Sequence, residues 1–518
     1  MAGARASSGS ACAAVRLRVA SWNLAAINNN PFEYWVTHDD PAYNELMANV
    51  QDFINSPGDK DVPVSEVFDD GKFEELAELM RQHGWEGVDA TAELWRSEYR
   101  DRRIVSEFMK DAEIGTKRLA SMPDRVTNTV NLADGSQAHR PTPINCYSED
   151  FASFDDWWAR WKAFMFEDAM QVKSKQEVKE VKGVDLLVPI KRAKYPALSE
   201  QEEAISLPLQ TLCGAIFDGI LVHMLNSLAP GKWQQLRHEL ANALNRNKNE
   251  QTLRILANKY ADMDIVFLQE VANAFVGKLE GNADLSARYV AIVPETSGKR
   301  DQNSVILVRK SLIKEESVKD VTGLVNERFE GKSVPVAEGD IVAATVELAD
   351  SEQTLLLASF HGDTNGLATI PVVDAVHDVA QNSLTGKELL VFGLDANTYE
   401  KSKPGKNQGV VEFGEHYVSK GLTSCWGDKP SPTEYTTYNA RTYLQPQLNK
   451  AASKSEFLSK GDVNPKDFIL FYPDQFEAEG GVVKDNTGDK AYLEDTAFPT
   501  LSFPSDHAII STELAARL

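Results

Sequence analysis

The feature that most constrains this chain is a set of short apolar runs, each bounded by an acid, an amide or an imidazole. Ile265-Val266-Phe267-Leu268 is closed by Gln269 and Glu270, Leu355–Phe360 by His361, and Leu389–Leu394 by Asp395. Runs this short, without helical spacing, read as strands buried on both faces. The opening segment Val15–Asn23 alternates instead, so Val15, Leu17, Val19, Ser21 and Asn23 share one face and Asn23 closes it. Two further runs begin with a polar residue: Asp467 opens Phe468–Phe471, and Asp506-His507 opens Ala508–Ser511 behind a turn at Pro504-Ser505. Tyr289–Val293, Asn303–Val308 and Ile341–Leu348 are also strand-like, and Thr369–Gln381 is helical. So many strands with so few helices between them fit two packed sheets flanked by helices rather than a singly wound parallel sheet.

The segment 31–249 has a different texture, rich in helical spacing. Phe73, Leu76, Ala77 and Met80 follow the i, i+3, i+4, i+7 pattern, with Gly84 at the C-terminal cap. Ser153 and Asp156 resemble a capping box, opening a helix whose apolar face carries Trp157, Trp158, Trp161, Phe164 and Met165. Tryptophans at that spacing belong to a core rather than to a base-stacking platform. Pro208–Leu228 is apolar almost all round and reads as a buried helix, and a further helix presents Trp233, Leu236, Leu240 and Leu244. Lys173–Lys194 reads as a solvated linker or hairpin. With 518 residues, more than one core usually organises, the expected division is a disordered tail over 1–14, one domain from 15–30 and 250–518, and a mainly helical insertion over 31–249.

Composition narrows the function classes. The formal charge of −23, from 54 Lys and Arg against 77 Asp and Glu, argues against sequence-blind binding of polyanions over a broad surface. A locally basic groove stays open, and a metal can supply positive charge where a phosphate must sit. Cys12, Cys146, Cys213 and Cys425 are far apart and form no Cys-x-x-Cys, which points to a reducing compartment, cytoplasmic or nuclear, and away from a disulfide framework or zinc ribbon. No 18 consecutive residues are apolar, so no membrane-spanning helix is expected. Residues 1–14 are small, Ala/Ser-rich and acid-free, without the apolar centre of a secretory signal; a short organelle-targeting peptide stays open.

The strand-end set of Asp, Glu, Asn and His suits a hard, oxygen-loving cation such as Mg²⁺, with Mn²⁺ able to substitute, better than zinc. Asp395 and Asn397 stand two apart on an extended segment and point the same way, so one can act on a water while the other donates to a phosphoryl oxygen.

In order along the chain, Trp22-Asn23, Leu268-Gln269-Glu270, Phe360-His361-Gly362, Gly393-Leu394-Asp395-Ala396-Asn397, Asp467-Phe468-Ile469-Leu470 and Pro504-Ser505-Asp506-His507 resemble the motifs of the endonuclease/exonuclease/phosphatase superfamily. The resemblance covers about residues 15–30 and 251–518. It implies a four-layer αββα sandwich of the DNase I-like α/β class, here with a large, mainly helical insertion after the first strand. It also implies a Mg²⁺-dependent phosphoesterase. Glu270 would be the principal metal ligand, with Asn23 and Asp506 on the metal side. Asp395 would orient or deprotonate the attacking water, and Asn397 would steady the phosphoryl oxygens. His507 would contact the scissile phosphate, oriented by Asp467, and His361 would stabilise or protonate. Asn365 and Arg441 are the candidate substrate contacts.

Two departures from the family stand out. Phe468 follows Asp467 where a Tyr is common, and the insertion is far longer than the usual loop. The Trp-Cys-Asp-Arg signature of inositol polyphosphate 5-phosphatases is absent. The closing Phe503–His507 and the Thr436-Thr437-Tyr438 loop are more similar to the deadenylase-like branch. The expected substrate is therefore a phosphodiester in nucleic acid, RNA more than DNA. The alternatives are a phosphatase or lipid or small-molecule phosphodiesterase of the same superfamily, and a non-catalytic binding module using the insertion. Degenerate members lose Glu, Asp or His at the motif positions, and all of these are present here.

Overall fold

In the computed structural model, which describes residues 15–174, 177–296, 301–438 and 461–517, the apolar runs become the strands of two six-stranded sheets. In chain order the strands are β1 (Arg16–Asn23), β2 (Ile265–Val271), β3 (Tyr289–Ile292), β4 (Asn303–Arg309), β5 (Lys319–Asp320), β6 (Ile341–Glu347), β7 (Thr354–His361), β8 (Leu389–Asp395), β9 (Thr423–Ser424), β10 (Asp467–Phe471), β11 (Phe476–Asp485) and β12 (Ile509–Ala516). The first sheet has the order β11-β12-β1-β2-β4-β3 and the second β9-β10-β8-β7-β6-β5.

Both sheets are built on the same plan. A central parallel pair, β1 with β2 and β7 with β8, is flanked by an antiparallel strand, β12 against β1 and β10 against β8. The C-terminal ends of a parallel pair and the start of its antiparallel neighbour lie on one edge. In the first sheet that edge holds Asn23 opposite Gln269. In the second it holds His361 opposite Asp395, itself opposite Asp467. Period-two alternation assigns the two faces. Leu17, Val19, Ile265, Phe267 and Ile510 of the first sheet pack on Val342, Leu355, Leu357, Val391 and Ile469 of the second. The other face of the first sheet is covered by Leu253 and Leu256 of helix Lys248–Asn258 and by Phe275 and Leu279 of helix Asn273–Gly281. That of the second is covered by Val372 and Val376 of helix Thr369–Asp378 and by Phe413 and Tyr417 of helix Val410–Ser419. The four layers of the expected αββα sandwich are all present. Between the sheets, a Cβ on Gly393 would stand 2.3 Å from the Phe267 ring, so no larger residue fits there.

The described residues divide into two compact units, one of 15–26, 249–438 and 462–517 and the other holding 27–248. The break falls at Ala26 rather than at residue 30 for a physical reason. The Ala26 N–H still donates to Glu270 (2.7 Å), whereas Asn28 and Asn29 already accept from the Asn245 amide at the far end of the insertion. The tail over 1–14 lies outside the described residues.

Within the second unit, the 23-residue helix Ser206–Leu228 is central, packed by helices Pro41–Asn55, Val64–Val67, Asp70–Gln82, Val88–Ser97, Ser121–Thr127 and Phe154–Lys162. It differs from the sequence expectation in one respect. By length and composition it is apolar enough to cross a membrane, although Gln210, Thr211, Gly214, Asp218 and Gly219 interrupt its apolar run; most of it is buried inside this unit. Asp218, fully buried mid-helix, accepts from Arg140 Nε (2.7 Å) and Nη2 (3.2 Å), Thr142 Oγ1 (2.8 Å) and Trp161 Nε1 (2.9 Å). Trp157, Trp158 and Trp161 are buried, which suits a core and leaves no platform for bases. Ser153 caps its helix by accepting from Asp156 N–H, but Asp156 turns its carboxylate to Ala152 N–H, one residue short of a reciprocal box. The lysine-rich segment begins as a hairpin, Met170–Ser174 with Glu177–Val181.

Candidate active site

Three residues at this edge have left-handed backbones although none is glycine: Ala25 (φ 54°), Glu270 (φ 53°) and Asn397 (φ 46°). Such conformations cost on the order of 1–3 kcal/mol each and persist where the surroundings enforce them. Each has a visible purpose. Glu270 lies in a β-bulge, where the β2–β4 register shifts between Leu268 and Val271. Simple alternation would aim Glu270 with Leu268 into the helix layer; the bulge re-aims it to the edge. The turn at Ala25 directs the Ala26 N–H back to Glu270 Oε2. At Asn397 the turn lets its own N–H donate to Asp395 Oδ1 (2.8 Å). Gly366, at φ 69°, packs so close that a Cβ would stand 2.6 Å from the Asn397 carbonyl.

Asn23 joins the two sheets. Its Nδ2 donates to Glu270 Oε1 (3.1 Å) and Asp395 Oδ2 (2.9 Å), while its Oδ1 accepts from Ala25 N–H (2.8 Å). It thus serves the carboxylates as a donor, with its oxygen already engaged. His361 places Nε2 3.3 Å from Glu270 Oε1 and 3.6 Å from Asp395 Oδ2. His507 places Nε2 3.7 Å from Asp395 Oδ2 and Nδ1 3.0 Å from Asp467 Oδ2. Among the described residues, the groups able to hold a metal ion are therefore Glu270/His361/Asp395 and Asp395/Asp467/His507, which share Asp395.

The turn carrying His507 is tied to β1. Trp22 Nε1 donates to the His507 carbonyl (3.1 Å), Ser505 Oγ to the Asn23 carbonyl (2.6 Å), and the Trp22 ring stacks on Phe503 at 5.6 Å. Thr436 Oγ1 accepts from Lys466 N–H and Asp467 N–H, which gives the Thr436-Thr437-Tyr438 loop a mechanical role.

Charge is distributed unevenly. Burial would depress the His507 imidazole, but the Asp467 and Asp395 carboxylates outweigh it and push the pKa up to about 10. Burial raises Asp395 and Glu270, yet both stay below the usual carboxylate range. For Asp395 the opposing charges are His507, His361 and Lys466; for Glu270 they are His361 and the Ala26 and Asn23 donors. At Asp467 burial prevails over the opposing His507 charge and raises the carboxyl.

The remaining expected residues are less integrated. Asp506, half-buried, adds its charge to His507 but belongs to neither close group. Asn365 is exposed in the loop after β7, its backbone N–H donating to Asp363 Oδ1 and its carbonyl accepting from Gln408 N–H. Arg441 lies outside the described residues. Phe468 faces the helix layer, edge-on to Phe413 at 5.1 Å, so the departure from Tyr does not touch the site. Lys466, which sequence reading passed over, is buried, and its Nζ donates to Asn397 Oδ1 (2.9 Å). A lysine one residue before the strand-opening Asp was its only signal.

The two sheets, their layers and the six motifs at one edge together make the DNase I-like sandwich that the motif order implies. Residues 61–238, inside the insertion, match the model of a domain of unknown function, DUF8234. No curated protein matches the chain. Among solved structures the chain is similar to D. rerio TDP2 complexed with a single-strand DNA product, at 15% identity and a TM-score of 0.34, over 53% of this chain and 95% of that one. It is likewise similar to the human Nocturnin catalytic domain with bound sulfate (12%, 0.33, over 54% and 89%). An endonuclease/exonuclease/phosphatase from Bacteroides vulgatus gives 13% and 0.36, over 53% and 94%.

Proposed function

We propose that the protein is a metal-dependent phosphoesterase that cleaves phosphodiester bonds in nucleic acid, RNA more than DNA, by in-line attack of water. The observation that carries this reading is the convergence on Asp395 Oδ2 of Asn23 Nδ2 (2.9 Å), His361 Nε2 (3.6 Å) and His507 Nε2 (3.7 Å), with Glu270 beside them.

The donor set fits a hard divalent cation. Two ionised carboxylates offer ligand atoms within 4.8 Å of each other and of His361, and like charges so placed call for a cation. Glu270 would hold Mg²⁺ or Mn²⁺, with Asp395 adjacent and Asp506 from the neighbouring turn. Bound there, the ion supplies Lewis-acid stabilisation of charge on the phosphoryl oxygens. The chain's own groups do the rest. Asp395, with Oδ1 fixed by Asn397 N–H, leaves Oδ2 to orient the water and accept its proton. The Asn397 amide donates to a phosphoryl oxygen. The His507 imidazolium, held by Asp467, donates to the phosphate. His361 stands on the Glu270 side to protonate the leaving oxygen.

RNA preference is supported by the Phe503–His507 and Thr436-Thr437-Tyr438 segments. The net charge of −23 favours the second reading, a phosphatase or phosphodiesterase for a small compound. The test is hydrolysis, with Mg²⁺ or Mn²⁺, of end-labelled single-stranded RNA and DNA of one sequence, beside bis(p-nitrophenyl) phosphate and a panel of small phosphomonoesters. Faster cleavage of RNA is expected. Turnover of the monoesters alone would replace the nuclease reading with the small-molecule one, and no turnover of any substrate would reject catalysis.

A further inference from the structure

Lys466 has the properties of a part built for a purpose. Its side chain is 4% exposed, its Nζ donates to Asn397 Oδ1 at 2.9 Å and to Asp462 Oδ2 at 2.5 Å, and it stands 5.5 Å from the centre of the Tyr399 ring. Burying an ammonium is costly unless it is paired, and one carboxylate is enough to pair it. The second bond, to the amide of Asn397, is the one that reaches the catalytic edge.

The chemistry of that bond is asymmetric. The two ends of an Asn amide are nearly the same size, so packing alone discriminates poorly between the two orientations. An ammonium carries three donors and no acceptor. Facing Lys466, the amide can present its oxygen at full strength, whereas the flipped amide would set NH₂ against NH₃⁺ with nothing to accept. With the oxygen held by Lys466, the NH₂ is the end turned away from it. The backbone of Asn397 is fixed independently, by its N–H to Asp395 Oδ1 and by its packing on Gly366. The orientation of the side-chain amide is what Lys466 adds to this.

We propose that Lys466 is a positioning residue that locks the Asn397 amide with its NH₂ toward the substrate phosphate. This rests on the phosphoesterase reading above. Lys466 touches no reacting atom; it positions through Asn397, while its charge is the last of the three that lower Asp395. A flipped Asn397 would present a carbonyl oxygen to an anionic phosphoryl group, so each flipped molecule loses a donor and gains a repulsion.

The test is a double-mutant cycle on bis(p-nitrophenyl) phosphate with Mg²⁺, read as kcat and KM separately. Lys466→Met is expected to lower kcat by about 10²-fold, the scale of one lost donor, with KM within about twofold. Asn397→Ala should cost about as much, and Lys466→Met in the Asn397→Ala background should cost less than about twofold more. Lys466→Gln, which can still donate to Asn397 Oδ1 without a charge, should recover about tenfold over Lys466→Met and serves if the Met variant fails to fold. Full activity in Lys466→Met, or losses that multiply in the double mutant, would overturn the proposal. A second readout is independent of turnover. With ¹⁵N-Asn labelling, the side-chain NH₂ signals that vanish in Asn397→Ala should shift in Lys466→Met. Unmoved signals would also overturn it. Absence of hydrolysis by the wild-type protein would reject the phosphoesterase reading alone, because the NMR comparison still decides whether Lys466 sets the Asn397 amide.

Discussion

His507 Nδ1 stands 3.0 Å from Asp467 Oδ2, with both side chains buried and the two residues delivered by different sheets. A carboxylate so placed orients the imidazole ring and favours its charged form. Asp467→Asn and His507→Ala should each lower kcat by about 10²–10³-fold. The double mutant should be little worse than either single one, because both changes remove the same oriented imidazolium. Single-turnover rates on one substrate check this, and fully multiplicative losses would show that the two residues act separately.

Metal dependence should appear in stability as well as in rate. A cation that binds only the folded protein stabilises it by RT ln(1 + [L]/Kd), about 2.7 kcal/mol at a hundredfold excess over Kd. Mg²⁺ should therefore raise the melting temperature of the wild-type protein and leave Glu270→Gln nearly unmoved. Chelation should abolish hydrolysis in the wild type. Unchanged activity after exhaustive EDTA treatment would remove the metal from the reading.

His139, in the insertion, gives a pH test of stability. Burial, helped by the nearby Arg246 charge, lowers its pKa from the usual 6.5 to about 4. Between those values the unfolded chain binds a proton that the folded one refuses, so stability falls as pH drops from about 6.5 toward 4. His139 is partly exposed, so solvent screening trims the effect to on the order of 1 kcal/mol at pH 5. Denaturant titrations of wild type and His139→Gln should differ little at pH 7, and the variant should lose less on going to pH 5. Parallel pH curves would show that His139 is not the group responsible.

The Asp218–Arg140 pair should dominate the stability of the insertion. Asp218→Ala leaves a buried guanidinium without its main partner and should cost about 3–5 kcal/mol. Arg140→Met with Asp218→Leu should recover much of that loss, since replacing both charges removes both desolvation penalties. Chemical denaturation of the three variants decides it; equal losses in the single and double mutants would mean that packing rather than charge is at stake.

The strands were legible because four-to-six-residue apolar runs are hard to read otherwise, and their polar ends marked the edge where function gathers. What stayed hidden was the pairing. Nothing local says that Val15–Asn23 lies parallel to Ile265–Val271, because register is set by contacts made hundreds of residues away. The bulge at Glu270 was invisible too, since alternation alone would bury that carboxylate under helices. Lys466 escaped notice because a lone lysine is usually solvated, and only the fold shows it enclosed between Asn397 and Asp462. Strand β11 was missed for the opposite reason: Phe476–Asp485 carries Gly480 and Gly481 and is buried only at its two ends, so it lacks the apolar run that marked the others.

β1 lies between β2 and β12, and Trp22 reaches across 485 residues to hold the His507 turn. During synthesis the strand carrying Asn23 must therefore wait, unpaired on both sides, while residues 27–248 emerge. Arg140 and Trp161 are already made when Asp218 appears, so the insertion can mature early. This edge cannot. Asn23, Glu270, Asp395 and His507 come together only after the strand behind His507 has joined the sheet.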